Sequence, residues 1–97
     1  MIGFYKVIGK SMEPSYSEGD YLLVNHFVFY FRKPRKGEVV LLKDPRTGKS
    51  ILKRIHTIRG EKYDVRGDNP SQSTDSQHFG WVREEQILGK VLFHVPS

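Results

Sequence analysis

Ser11 and Lys53 are the side chains in this sequence whose types could do covalent chemistry together. Ser11 lies in Gly9-Lys10-Ser11-Met12-Glu13-Pro14, and Lys53 lies in the apolar run Ile51-Leu52-Lys53-Arg54-Ile55. A serine hydroxyl is a weak nucleophile until a base removes its proton, and a neutral lysine amine is one such base. Lysine is neutral only where water is withdrawn from its ammonium, as in an apolar pocket. In a strand, Lys53 shares a face with Ile51, Ile55 and Thr57, while Leu52, Arg54 and His56 point the other way. A lysine in that company either extends to water or stays in the pocket, and the sequence leaves both open. Ser11 could be an ordinary turn serine. Its neighbours suit a sharper role: Gly9 permits close backbone approach, Met12 is an apolar anchor and Pro14 stiffens the loop. A rigid loop can aim the Ser11 N–H at a developing oxyanion.

The elements that must hold these residues read as short strands. Phe4 to Ile8 is aromatic and β-branched and is closed by Gly9; residues 11 to 18 form a loop; Tyr21 to Val24 is a second strand. Phe27 to Phe31 is apolar and aromatic and runs into the basic turn Arg32-Lys33-Pro34-Arg35-Lys36-Gly37, either as a core strand before a solvated turn or as part of a basic-aromatic surface. Glu38 to Lys43 and Ile51 to Arg59 pair as a hairpin through Asp44-Pro45-Arg46-Thr47-Gly48, where proline fixes φ and glycine accepts positive φ. Tyr63 to Arg66 follows a turn at Arg59 to Lys62. Residues 67 to 80 are polar and loop-like, Arg83 to Ile87 suits one helical turn, and Gly89 to Val95 is a closing strand. With no long helical periodicity, repeat or domain boundary, the expectation is a mostly β, small barrel-like domain of coiled antiparallel sheets spanning 1–97.

Composition bounds the chemistry. The chain has 97 residues, 37% hydrophobic and 28% charged, which suits a small globule with a thin core. It contains no cysteine, so thiol nucleophiles, disulfides and cysteine-based zinc sites are excluded. The formal charge of +5 fits nucleic acid, an anionic membrane surface, acidic substrates or simple solubility. Residues 1–8 are too short and interrupted for a signal-peptide core, and Tyr21 to Phe31 falls short of the ~20 apolar residues of a spanning helix. The expected location is therefore cytoplasmic, or peripheral at a membrane.

Ser11-Met12-Glu13-Pro14 with Gly19-Asp20, Gly37-Glu38-Val39-Val40, Lys53-Arg54, and Gly67-Asp68-Asn69 with Ser73-Thr74-Asp75-Ser76 together resemble the type I signal peptidases, serine proteases of the Ser-Lys type. The motifs occur in that family's order and extend from about Ile8 to Val91. The resemblance implies Ser11 as nucleophile and Lys53 as general base. It implies Ser73 as the serine that orients the lysine, Asp75 as an acidic support, and Gly67, Asp68 and Asn69 as a turn beside the dyad. Met12 and Pro14 would border the substrate. It also implies a β-rich fold, a precursor protein or peptide as partner, no cofactor, no metal and no nucleic acid.

The sequence departs from the pattern in three ways. Gln77 stands where the family commonly has an arginine two residues after the aspartate, leaving Arg54, Arg66 or Arg83 as substitutes. Gly9 stands where some members place an oxyanion-donating serine. A membrane anchor and the large accessory β-domain of the bacterial enzymes are not seen. In this the chain is similar to compact members such as the proteases thought to mature nickel-type superoxide dismutase.

Other motifs carry less. Thr47-Gly48-Lys49-Ser50 resembles the end of a phosphate-binding loop, but its first glycine would fall at Lys43. His26, His56, His78 and His94 lack metal-ligand spacing. The serious rival is the stretch from Phe27 to Lys36, whose aromatics and cations suit single-stranded nucleic acid or an anionic membrane on a non-catalytic β module. Self-cleaving repressors use the same dyad on a similar fold, but the segment from Gly67 to Ser76 resembles the signal peptidases more.

Overall fold

Runs of β-branched and aromatic residues between glycine and proline turns favour strands over helices. The computed structural model describes residues 2–69 and 80–96. In it these runs form β1 (Ile2–Lys6), β2 (Tyr21–Asn25), β3 (Val39–Lys43), β4 (Ser50–Arg59), β5 (Lys62–Arg66), β6 (Val82–Arg83) and β7 (Ile87–Val95). One helical turn, α1 (Val28–Phe31), follows β2, and one 3-10 turn, Glu84–Gln86, precedes β7. All the strands belong to one curled antiparallel sheet in the order β1-β2-β7-β3-β4-β5-β6. The mostly β expectation holds, as one continuous sheet rather than several.

The order makes β7 the joint of the molecule. β1 and β2 form a hairpin, β3 to β6 form a meander, and β7 lies between β2 and β3, bonded to both. Gly89 sits where these strands meet; a Cβ there would lie 2.7 Å from Val24 Cγ1 and 2.8 Å from the Asn25 carbonyl oxygen. Only glycine permits that approach.

β3 explains how so short a chain fills two sides of a sheet. Val39 and Leu41 pack with Val7, Met12, Leu22, Val24 and Val91. Val40 and Leu42 alternate to the other face and pack with Ile55, Tyr63, Val65, Val82 and Ile87. The hairpin turn between β3 and β4 is closed by the Gly48 N–H on the Asp44 carbonyl and the Asp44 N–H on the Lys49 carbonyl. Gly48 has a φ of 74°, which accounts for the residues that mimic a phosphate loop.

Phe27 to Phe31 is not a core strand: α1 buries none of its residues, and Phe31 is 87% exposed. The aromatic run is helical because Asn25 Oδ1 accepts the Phe27 N–H and turns the chain off the sheet. The first strand ends at Lys6, the last begins at Ile87, and β6 was not foreseen because it pairs over only two residues. Among the described residues, no helix is long and apolar enough to cross a membrane.

Candidate active site

Ser11 belongs to the loop between β1 and β2, whose ends are tied by Val7 N–H to the Asp20 carbonyl (2.8 Å) and Gly19 N–H to the Val7 carbonyl (2.9 Å). Inside it, Asp20 is buried and takes the Ser17 N–H at 2.9 Å, and Glu18 takes the Gly9 N–H at 3.1 Å. Met12, only 2% exposed, drives the loop into the core beside Val39 and Leu41. Ser11 itself is half-buried and Pro14 is exposed. The loop is therefore pinned at its base, at its carboxylates and through one apolar side chain.

Lys53 lies mid-way along β4, opposite Val40, and is 3% exposed. It shares the face of Val40 and Ile55, whereas Met12 enters the core on the side of Leu52. Of the two positions left open by the sequence, the lysine occupies the buried one. The bulge between Ile55 and Thr57 turns His56 outward, its Nδ1 2.8 Å from Thr57 Oγ1 and 3.5 Å from Asp64.

The turn after β5 joins the two supports. Arg54, next to Lys53, makes a forked ion pair with Asp68 at 2.9 and 2.8 Å and donates to the Gly37 carbonyl at 2.9 Å. Asp68 also bonds Ser15 in the Ser11 loop. Asn69 donates its N–H to the Ser11 carbonyl at 2.8 Å and its Nδ2 to the Lys10 carbonyl at 3.0 Å. Two consecutive residues of one turn thus hold the serine's own peptide and the lysine's neighbour.

The charges follow from these contacts. The Arg54 hydrogen bonds hold the Asp68 carboxyl below its ordinary range, against partial burial that works the other way. Burial raises the Tyr16 phenol above its ordinary value, although the Arg54 charge opposes it, so Tyr16 stays protonated beside the pair. Among the described residues, no group of three or more His, Asp or Glu is placed to hold a metal ion.

Ser73 and Asp75, with Gln77, lie outside the described residues. Asp68 and Asn69 are brought to the Ser11 loop; Arg54, offered by the sequence as one substitute for the arginine absent at Gln77, pairs with Asp68, and Ser15 and Tyr16, which the sequence does not single out, join them there. One signal could have found the Arg54–Asp68 pair. The register pairs Arg54 with Arg66, so Asp68 falls two residues further on, within reach of the guanidinium.

Comparison with known proteins agrees with this architecture. Residues 1–66 match the family model "Signal peptidase, peptidase S26". Signal peptidase I V of Bacillus subtilis (strain 168) is 29% identical, covering 90% of this chain and 82% of the relative. The mitochondrial ATP-independent inner membrane protease subunit 1a of Arabidopsis thaliana is 34% identical, covering 92% and 67%. The mitochondrial inner membrane protease subunit 1 of Xenopus tropicalis is 28% identical, covering 90% and 65%. The family model takes in the loop of Ser11, the strand of Lys53 and the residues up to the end of β5, and the chain belongs to the signal peptidase family, peptidase S26.

Proposed function

We propose that this chain is a serine endopeptidase that removes an N-terminal leader or signal-type extension from a precursor protein, with Ser11 as nucleophile and Lys53 as general base, and that residues 1–97 act as one catalytic domain. The observation that carries the reading is the grip of Asn69 on the Ser11 carbonyl, in a turn whose preceding residue is ion-paired to the neighbour of Lys53. Family membership and the names of the relatives, a signal peptidase and two inner membrane proteases, support the same class of reaction.

In this reading, burial keeps Lys53 neutral enough to take the Ser11 proton. Ser11 Oγ attacks the scissile carbonyl, and the Ser11 N–H stabilises the oxyanion. The Lys53 ammonium then protonates the departing amine, leaving an acyl-enzyme and a neutral amine. Lys53 next deprotonates a water, which releases the acid and regenerates Ser11. Ser73 orients Lys53, Asp75 supports the loop that carries Ser73, and Pro14 borders the substrate; Met12, expected beside it, is 2% exposed and holds the loop to the core instead. The peptide binds as an added strand with small side chains at the cut. No step uses a metal or cofactor.

The test is cleavage of small-residue peptides and precursor fragments across pH by wild type, Ser11→Ala and Lys53→Met. Cleavage should rise with pH through a transition below the ordinary lysine range, near 10.4, and vanish in both variants. Retained cleavage in either folded variant refutes the dyad.

A second reading has its own observation. Phe27, Tyr30 and Phe31 are 52%, 79% and 87% exposed, next to Arg32, Lys33, Arg35 and Lys36. Such a surface suits an anionic membrane or single-stranded nucleic acid. Salt-sensitive binding by a protein inert in every cleavage assay would favour it over the peptidase.

A further inference from the structure

A groove of about 280 Å³ opens along β4 and β5 at the bulge, lined by Lys36, Arg54, Ile55, His56, Arg66 and Asp68, with Gly37 and Gly67 in its walls. The candidate active site leaves most of it unused. Its walls are apolar where the carbon stems of the long side chains line it, and its rim is cationic, while Ile55, 1% exposed, packs its side chain into the core. Asp68 is taken by Arg54, and the buried Asp64 behind the groove is taken by Arg66 through Nε and Nη2 (3.3 and 3.1 Å). With those two pairs balanced, Lys36 is the excess charge, and it makes no ion pair among the described residues. Arg66 Nη1 also has no hydrogen-bond partner among the described residues. His56 adds a further cation when protonated, with Asp64 3.5 Å from its Nδ1.

Position gives the groove a use. Asp68 in its wall is followed directly by Asn69, which holds the Ser11 and Lys10 carbonyls. The groove therefore shares a wall with the turn that holds the Ser11 peptide. We propose that the groove is a subsite for an acidic side chain of the peptide substrate, its carboxylate bound by Lys36 and Arg66 and its methylenes resting on the carbon stems that line the groove. The inference rests on the peptidase reading of Ser11 and Lys53 and adds a preference to it. An aspartate or glutamate at one fixed position near the scissile bond would be selected by charge, as a partly exposed pair of opposite charges selects in moderate salt.

The test scans Glu against Gln at each position flanking the cut in one peptide series. It reads the Glu/Gln ratio of kcat/KM for wild type, Lys36→Glu and Lys62→Glu, and the Glu/Gln ratio of binding to Ser11→Ala with and without Lys36→Glu. Lys62 is an exposed lysine at the far end of the β4–β5 hairpin, so its variant makes the same change in net charge away from the groove. The expected result is a ratio of about three to ten at one position in wild type and Lys62→Glu, falling to one or below in Lys36→Glu, and weaker at high salt. A ratio near one at every position overturns the inference while cleavage of the Gln peptides keeps the peptidase reading. Equal losses in the two charge variants overturn it too, because they trace the preference to overall charge. If no peptide is cleaved, the binding ratios still decide: preference removed by Lys36→Glu upholds the groove, and none refutes it.

Discussion

The Arg54–Asp68 pair reaches both halves of the candidate site. Arg54 is the next residue to Lys53, and Asp68 bonds Ser15 and precedes Asn69, which holds Ser11. Each is part-exposed, so the pair adds little to global stability. Its effect should fall on position instead. Asp68→Asn and Arg54→Met should each lower kcat by about ten- to a hundredfold, the scale of a ~1 Å misplacement of reacting groups, with a smaller change in KM. Because the two act as one unit, the double variant should be about as impaired as either single. Losses that multiply in the double variant would show that each residue acts separately. Their types and neighbours single out Ser11 and Lys53 as candidates in the sequence, but this contact does not show there. A side-chain pair across two strands depends on register, and register here depends on the His56 bulge, which nothing in the local sequence announces.

Among the elements, β3 and the β2–β7 seam carry the packing that holds the Ser11 loop and the Lys53 strand together. Leu42 is fully buried among Val40, Ile55, Tyr63 and Ile87, so Leu42→Ala should cost about 2–5 kcal/mol in urea unfolding. Tyr30→Ala on the exposed helical turn should cost about 0.5 kcal/mol or less. Gly89→Ala is the sharper test of the seam. Its methyl would press on the Asn25 carbonyl and on Val24, and backbone cannot swing aside as a side chain can. A loss of about 1–3 kcal/mol is expected, and a neutral result would mean that β2 and β7 are further apart than described. The strands themselves were legible, because Val39 to Leu42 and Ile51 to Ile58 can hardly be anything else between a basic turn and two glycine turns. The aromatic helical turn was misread because short apolar runs do not declare their period, and here the Asn25 side chain decides it.

For the molecule as a whole, β7 closes a sheet whose two halves share no other strand pairing among the described residues, and carboxylates fasten the loops around that sheet. Glu38 is bound by Arg32 and by the Arg35 N–H, and lies 3.7 Å from Lys90 on β7. Asp44 takes the Arg46 N–H and guanidinium in the β3–β4 turn, and Asp68 takes Arg54 beside the Ser11 loop. For Glu38 and Asp44, burial alone would raise the pKa, but the arginine and backbone hydrogen bonds together outweigh it; for Asp68 the Arg54 hydrogen bonds dominate outright. All three are lowered, from ordinary values of 4.5 for Glu38 and 3.8 for both aspartates. A lowered folded-state pKa means that the unfolded chain takes up protons first as pH falls. The stability these groups contribute is therefore complete above their ordinary values and is lost as pH drops through the folded-state values beneath them. Urea midpoints should be level above about pH 5 and decline steadily below about 4.5. Glu38→Gln, Asp44→Asn and Asp68→Asn should each be less stable than wild type at pH 7 and should converge on it in strong acid, where the native carboxyl is neutral as well. A difference that persists undiminished at the acid end would assign the contribution to shape and packing instead of charge.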